Sequence, residues 1–244
     1  MDDITVVNKS WQGKNLRAKV LFSRAGLAQH IWVNSAKSAV LIDTGDGLLR
    51  DILAAKLDLA QIKAIFYTHG HFDHMGGLHS LLGFLRMVGR IEPLPVYAPA
   101  GCTEVKSMLD GFITCYRGSI GFELSYHELQ PMDNVAVDGM TVTAYPMVHC
   151  GSIAGSDVLD QIPAMGYRAT ANGESVAISG DSGRCQPLED LVRDADLAII
   201  EATYQSAETI SADTLAKVHL SEDVAREIGR TAKELIIVHR GHRA

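Results

Sequence analysis

Short apolar runs with strand character alternate with stretches of helical spacing along much of the chain. Residues 39–43 and 64–68 are predicted strands, because each is a compact apolar run that ends at polar or turn-forming residues. A helical pattern follows each of them, over residues 48–59 and 77–88. The last third repeats this alternation, with predicted helices at 187–193 and 221–233 and predicted strands at 197–200 and 235–238.

The middle of the chain has a more antiparallel character. Asp138-Gly139 separates predicted strands 135–137 and 140–144, and Asn172-Gly173 separates 166–169 and 175–179. Both dipeptides are strong signals for type I′ hairpins. Hairpins mixed with strand–helix units predict an α/β fold, an αββα sandwich of two mixed β-sheets flanked by helices. Since the sequence has no internal repeat and no Ser/Pro-rich linker, we expect residues 1–244 to form one domain.

Composition narrows the class of protein further. Hydrophobic residues make up 47% of the 244 positions, which excludes disordered, collagen-like and coiled-coil chains. Twenty-two Lys and Arg against 29 Asp and Glu give a net charge of −7, whereas proteins that bind nucleic acid through phosphates are usually basic. Four scattered cysteines, no signal-peptide pattern and no apolar run of about 20 residues predict a cytoplasmic protein without a membrane span.

Candidate chemistry is concentrated in the segment from Thr68 to Gly77. Three of the ten histidines and one aspartate fall within six positions, between a predicted strand and a predicted helix: His69, His71, Asp73 and His74. Imidazole nitrogens and carboxylate oxygens suit borderline divalent metals such as zinc, and the following glycines allow a tight turn. A His-rich exposed loop without function is the alternative interpretation.

Further ligands would be needed for two ions. Four isolated residues downstream are candidates, three of them directly after apolar runs of strand type: His149, Asp181, His219 and His239. Each alone is an ordinary strand-terminal polar residue, but together with the loop they supply the missing ligands.

This pattern of histidines and aspartates resembles the metallo-β-lactamase superfamily of hydrolases, from about residue 41 to residue 239. Segments 166–168, 179–182, 201–204 and 219–221 resemble its ribonuclease Z-like branch. The resemblance implies two zinc ions, with manganese or iron as open alternatives. His69, His71 and His149 would hold one ion, Asp73, His74 and His239 the other, and Asp181 would bridge them. A hydroxide shared by such a pair is a nucleophile near neutral pH.

The resemblance also implies a proton donor for the leaving group. The family's histidine and glutamate match His219 and Glu201, which we group with Asp73 as the catalytic residues. The sequence departs from the family pattern beside both, with Ile200 in place of a histidine and Leu220 in place of a serine. A salt bridge is the alternative role for Glu201.

Five other residues have less specific interpretations. Asp43 could orient a metal-bound imidazole or cap a helix. The remaining histidines are expected to be structural or solvent-exposed: His30, His79, His127 and His242.

The substrate is predicted from the absence of a long RNA-binding arm in the sequence. Ribonuclease Z holds transfer RNA with a long arm before the bridging aspartate, whereas here residues 151–160 form a short insertion without Lys or Arg. We therefore expect a small or cyclic phosphodiester. Open alternatives are lactone, thioester or arylsulfate hydrolysis, cleavage of tRNA at its 3′ side, and metal-dependent signalling without catalysis. Arg168, Tyr204 and Ser221 are candidates for anion contacts, and the resemblance implies a homodimer.

Overall fold

Two mixed β-sheets face each other in the computed structural model, which describes residues 9–36, 38–152 and 159–241. The first sheet has the order β1 to β7, with antiparallel pairing up to β4 and parallel pairing from β4 onward. Its strands are β1 (Lys9–Gln12), β2 (Arg17–Arg24), β3 (Ala28–Asn34), β4 (Ala39–Ile42), β5 (Ile62–Phe66), β6 (Leu94–Pro99) and β7 (Leu124–Leu129).

The second sheet is built from the later part of the chain. Its strands are β8 (Asn134–Val137), β9 (Met140–Pro146), β12 (Met165–Ala171), β13 (Glu174–Ile178), β14 (Leu197–Glu201) and β15 (Glu234–Val238), in the spatial order β15-β14-β13-β12-β9-β8. The small hairpin of β10 (His149–Ser152) and β11 (Leu159–Ile162) lies between β9 and β12 in the sequence.

Helices cover the outer face of each sheet. They are α1 (Leu48–Ala54), α2 (Phe72–Met75), α3 (Leu78–Met87), α4 (Thr103–Tyr116), α5 (Gln186–Val192), α6 (Ala212–Lys217) and α7 (Glu222–Gly229), with 3-10 turns at Leu59–Gln61 and Ala207–Thr209. Within the described residues, no helix is long and apolar enough to cross a membrane.

Three apolar clusters hold these layers together. The central one lies between the sheets and combines side chains such as Val40 and Phe66 with Val142 and Ile178. A second lies under α1, α3 and α4, and a third under α5 and α7. Full burial of such a side chain stabilises the fold by roughly 1.5–3 kcal/mol. Each sheet has apolar side chains on both faces, so one face packs on the other sheet and the opposite face packs on helices, as the predicted αββα layering requires.

Both predicted hairpins are confirmed. Asp138 and Gly139 have φ of 43° and 84°, and Asn172 and Gly173 have φ of 48° and 80°. Two successive left-handed residues are what a type I′ turn requires, and the flanking strands pair antiparallel.

Two predicted helices are longer than the observed ones. The helix predicted at 48–59 ends at Ala54, because Lys56 takes a left-handed φ of 55° and Asp58 caps a separate 3-10 turn. The helix predicted at 221–233 ends at Gly229, after which the chain continues in i to i−3 turns. A Cβ on Gly229 would lie 2.7 Å from the side chain of Leu235, so this glycine lets β15 pack closely.

One buried hydrogen bond joins the two sheets directly. The hydroxyl of Tyr167 on β12 donates to the carbonyl oxygen of Tyr67, just after β5, at 2.6 Å, and both tyrosines are fully buried. Tyr167→Phe leaves that carbonyl unsatisfied, so we expect it to lower the free energy of unfolding by about 1–3 kcal/mol. Urea denaturation measures this loss. Tyr145→Phe, at a half-buried position on β9, is the control, and an equal loss in both variants would contradict the assignment.

Candidate metal centre

The candidate site lies at the edge where parallel strands of both sheets end. In the first sheet β4 and β5 are parallel, and in the second β13, β14 and β15 are parallel. Polar residues that follow the carboxyl ends of such strands meet at one edge of the fold. His69, Asp181 and His239 follow β5, β13 and β15 in this way, and they lie in one cluster although they are far apart in the sequence.

The loop after β5 bends back tightly at its glycines. His71 precedes α2, and the N–H of Gly76 donates to the carbonyl of Phe72 at 2.7 Å. A Cβ on Gly77 would lie only 2.3 Å from the carbonyl oxygen of Gly45, so glycine is needed for the loop to pack against the turn after β4.

The first group of donor atoms contains His69, His71 and His149. Nε2 of His149 lies 3.3 Å from Nδ1 of His71. Two nitrogen ligands of one tetrahedral Zn²⁺ at about 2.0–2.1 Å would be about 3.3–3.4 Å from each other. The pair therefore has the spacing of two ligands to one ion.

The second group contains Asp73, His74 and His239. Nε2 of His74 and Nε2 of His239 are 3.3 Å apart, and Oδ2 of Asp73 lies 3.3 Å from the same His239 nitrogen. These distances repeat the ligand spacing of the first group. All three residues are buried.

Asp181 lies between the two groups. Its Oδ2 is 3.9 Å from Nε2 of His69 and 3.4 Å from Nε2 of His74. Its Oδ1 is 3.3 Å from Nδ1 of His239. One carboxylate thus contacts both sets of imidazoles.

Unsatisfied buried atoms indicate that this donor set fits a cation. Nε2 of His69 and Oδ1 of Asp181 are among the buried side-chain atoms that lack a hydrogen-bond partner within the described residues. Oδ1 of Asp181 is close to Nδ1 of His239, but the two atoms do not form a hydrogen bond. Such atoms are costly to bury unless something coordinates them. Nitrogen and carboxylate oxygen donors in this arrangement match the preferences of zinc and similar divalent ions.

The charge states support the same fit. Burial is the main cause that lowers the pKa of His69, His71 and His149, that of His149 to about 4, so these rings are neutral at neutral pH. Burial opposes ionisation of Asp73, but the contacts with His239 and His74 outweigh it and lower the Asp73 pKa to about 2. Neutral imidazoles and ionised carboxylates are the forms that bind metals. His74 differs: burial lowers its pKa, but Asp181 and Asp43 outweigh burial and raise the pKa well above its usual value, so a metal ion would displace a proton from this ring.

Hydrogen bonds on the far side of the rings orient the donor nitrogens. Nδ1 of His149 donates to the carbonyl of Val218 at 2.7 Å, and Nδ1 of His74 donates to Asp43 Oδ2 at 2.8 Å. Carbonyl and carboxylate oxygens only accept, so each ring carries its proton on Nδ1 and directs the Nε2 lone pair into the cluster.

Asp43 supports the metal loop at several points. Its carboxylate also accepts from the backbone N–H of Thr68 at 2.8 Å and from the Thr68 hydroxyl at 2.9 Å. The residue is fully buried, and Gly47, not Asp43, precedes α1. Of the two interpretations from the sequence, the contacts correspond to imidazole orientation and not to helix capping.

His219 and Glu201 form a pair beside the second donor group. Nδ1 of His219 lies 3.1 Å from Oε1 of Glu201, which also accepts from the backbone N–H of Leu220 at 2.9 Å. Burial lowers the pKa of His219, but Glu201 and Asp181 outweigh it and raise the value to about 9. The His219 side chain is 18% exposed, whereas that of Glu201 is fully buried.

Two candidate residues have surroundings that the sequence did not specify. His219, the one downstream candidate that does not follow a strand-type run, follows helix α6. Arg168 is not an anion ligand in this arrangement, because its guanidinium donates to the carbonyl oxygens of Leu191 and Arg193 and to Ser175.

The remaining histidines differ in their surroundings. His30 is buried against Asp51, with Nε2 of the ring 3.0 Å from the carboxylate, while His79 and His127 are exposed. His242 and residues 153–158 of the short insertion lie outside the described residues.

Several residues that support the cluster are missing from the sequence predictions. Thr203 lies between two site residues, its hydroxyl 3.2 Å from Nδ1 of His239 and 3.1 Å from Glu201 Oε2. Ser23 and Gln29 are buried polar residues near the ends of β2 and β3. A polar residue within an otherwise apolar strand, such as Gln29, is the signal that could have drawn attention to them.

The layered fold is the metallo-β-lactamase fold, and a buried His/Asp cluster lies at its strand ends. Residues 38–239 match the family model described as a beta-lactamase superfamily domain, and the chain belongs to this family.

Individual relatives specify the branch. Ribonuclease Z of Pyrococcus abyssi is 27% identical over an alignment that covers 84% of this chain and 77% of that protein. The short form of human tRNase Z has the same fold, with a TM-score of 0.76 and 23% identity over 93% of each chain. A diphosphatase from the PhnP family has a TM-score of 0.67 and 21% identity over 94% of this chain and 88% of that one. The predicted fold class and the ribonuclease Z-like branch are confirmed, and fold, relatives and cluster fit a binuclear-metal hydrolase.

Asp43→Asn tests whether the buried carboxylate positions the metal loop. Asparagine tolerates the left-handed φ of 62° at this position, but its amide group cannot accept from both His74 and Thr68 as the carboxylate does. We expect metal affinity to fall by about 10–100-fold, measured by competition with a chromophoric chelator. Asp51→Asn, which alters the Asp–His contact at His30, is the matched control. Equal affinities for Asp43→Asn and wild type would contradict the positioning role.

Proposed function

We propose that this chain is a zinc-dependent phosphodiesterase that acts on a small or cyclic phosphodiester. The observation that carries the proposal is the His219–Glu201 pair, 3.1 Å apart, beside two donor groups that have the spacing of metal ligands. The proposed ligands are His69, His71 and His149 for one ion, Asp73, His74 and His239 for the other, with Asp181 between them. Because these ligands follow strands of both sheets, they also support the proposal that residues 1–244 act as one domain.

In the proposed reaction, the metal ligands and the His219–Glu201 pair would have separate roles. Two bound divalent ions supply Lewis acidity and a water of lowered pKa. Glu201 Oε1 faces Nδ1 of His219, so the Nε2–H on the opposite side of the ring is the one available to protonate a departing oxygen. Glu201 is itself held by the backbone N–H groups of Leu220 and Thr203 at 2.9 Å each.

Charge supports a small substrate. The chain has a net charge of −7, and residues 151–160 contain no Lys or Arg. A polyanion such as RNA needs several cationic contacts for tight binding, whereas one phosphodiester group can be bound by the metal centre itself. The relatives named ribonuclease support phosphodiesters as the bond class, because the linkages of RNA are phosphodiesters.

Cleavage of tRNA at its 3′ side is the second candidate function. It is supported by the similarity to ribonuclease Z over 84% of this chain. The two candidates share the metal centre and the proton donor, so they differ only in what binds outside the cluster.

Metal content tests the ligand assignment. We expect close to two divalent ions for each purified chain, measured by plasma mass spectrometry. His71→Ala should lose metal and all measurable hydrolysis, since it removes a donor from the first group. The exposed His79 provides the control, and His79→Ala should keep both ions. A wild-type protein that takes up no metal would end the proposal.

His219→Ala tests the proton donor. We expect the variant to keep its metal while kcat falls by about 10²–10⁴-fold on a diester with an alcohol leaving group. The loss should be smaller for a nitrophenyl diester, because a good leaving group needs less protonation. The control is His127→Ala, at an exposed site on β7.

The same variants can be assayed across a substrate panel of small phosphodiesters, precursor tRNA, lactones, thioesters and arylsulfates. Turnover of small diesters well above that of precursor tRNA is the expected result. If only lactones, thioesters or sulfate esters react, the phosphodiesterase assignment is wrong. Preference for precursor tRNA would instead favour the second candidate.

A further inference from the structure

A buried polar pair connects the last strand of the chain to the metal loop. Ser23 of β2 and Gln29 of β3 stand directly opposite each other in the first sheet. They are 1% and 0% exposed, and the Ser23 hydroxyl donates to Gln29 Oε1 at 2.8 Å. Neither belongs to a segment that contains a proposed metal ligand.

A β-bulge turns Ser23 toward the interior. Val20 pairs with Ile31 in the central cluster, but the register then shifts, so that Phe22 pairs with His30 and Ser23 with Gln29. Without the extra residue, strict alternation along β2 would place Ser23 on the face opposite to Val20. The bulge places it instead on the face shared by Gln29 and Ile31, between the sheets.

The pair makes one hydrogen bond at each end. At one end, the backbone N–H of His239 donates to the Ser23 hydroxyl oxygen at 2.8 Å. At the other, Nε2 of Gln29 donates to Asp43 Oδ2 at 3.4 Å, and the same oxygen accepts from Nδ1 of His74 at 2.8 Å. A continuous line of hydrogen bonds therefore joins the backbone of His239 to the ring of His74. His239 and His74 are the two histidines of the second donor group.

His239 needs such support because its backbone is in an unfavourable conformation. Its φ is 53°, in the left-handed region that is unfavourable for a residue with a side chain. The bond to Ser23 fixes the N–H of His239 in this conformation. The Thr203 hydroxyl, 3.2 Å from the carbonyl oxygen of His239, contacts the other side of the same residue.

We propose that Ser23 and Gln29 are positioning residues for the second metal position, holding His239 and His74 with their Nε2 atoms directed at one ion. This inference rests on the proposed metal centre and adds two residues of the first sheet to it. Within the described residues, the first donor group, His69, His71 and His149, makes no hydrogen bond to Ser23 or Gln29. The two metal positions should therefore respond differently when the pair is altered.

Stepwise metal binding by the full chain tests this. Metal-free Ser23→Ala is titrated with Zn²⁺ in a calorimeter and with Co²⁺ while its visible absorption is recorded. We expect one of the two ions to bind about 10–100-fold more weakly than in wild type, with the Co²⁺ bands of that ion altered and those of the other unchanged. Ser23→Thr keeps the hydroxyl and should restore the wild-type titration.

Ser38→Ala is the matched control, because Ser38 is also a buried serine, lies just before β4 at the opposite end of that strand from Asp43, and is bonded to Ser35. It should titrate as wild type does. Gln29→Leu provides a second variant that breaks the same line, and it should weaken the same ion. Thermal melts of the metal-free variants check that each is folded.

The outcomes separate this inference from the proposed function. If wild type binds two ions and Ser23→Ala binds both with the wild-type affinities, only the positioning role is contradicted. Equal weakening of both ions without rescue by Ser23→Thr also overturns it, because the pair would then support the fold in general. A wild-type chain that binds no metal overturns both proposals.

Discussion

The constraint on which the site depends is the burial of two ionised carboxylates, Asp73 and Asp181, at an edge nearly closed to water. Burial of an unpaired carboxylate costs several kcal/mol, and burial also keeps His69, His71 and His149 neutral, so these rings do not offset the charge. The fold compensates in part through backbone N–H donors, such as that of Gly26 to Asp73 at 2.8 Å. It also compensates through His74, where burial lowers the pKa but Asp181 and Asp43 outweigh it and raise the pKa well above its usual value. The first donor group, His69, His71 and His149, carries no positive charge of its own, and neutral imidazoles beside an ionised carboxylate are suited to a divalent cation.

The rest of the edge keeps these groups in place. Each orienting contact comes from a different element: Asp43 follows β4, Val218 follows α6 and Thr203 follows β14. Since the two sheets pack through a continuous apolar cluster, the strand ends that carry these groups move little relative to one another. The precision of the site is thus a property of the sandwich as a whole and not of the His-rich loop alone.

What the sequence predicts well is local. The His-rich loop can be identified from the sequence because several donors fall within a few positions. The Asp-Gly and Asn-Gly hairpins can be identified because their left-handed turns need those residue types. Ser23 is different: its face is set by a bulge in the register of β2 on β3, which depends on pairing across the sheet. Likewise, Lys56 ends a helix that apolar periodicity alone extends to residue 59, because only the folded chain determines where its backbone turns.

The two departures from the family pattern lie beside the proposed proton donor, and they leave the His219–Glu201 contact intact. Ile200 and Leu220 are fully buried, and both belong to the apolar cluster under α7. Their side chains therefore pack away from the cluster of donors, while the backbone N–H of Leu220 still donates to Glu201 at 2.9 Å. These apolar side chains pack beside Glu201 and exclude water from its carboxylate, which is fully buried. His219 keeps a partly exposed ring at the edge of the cluster, as its proposed role of proton donor requires.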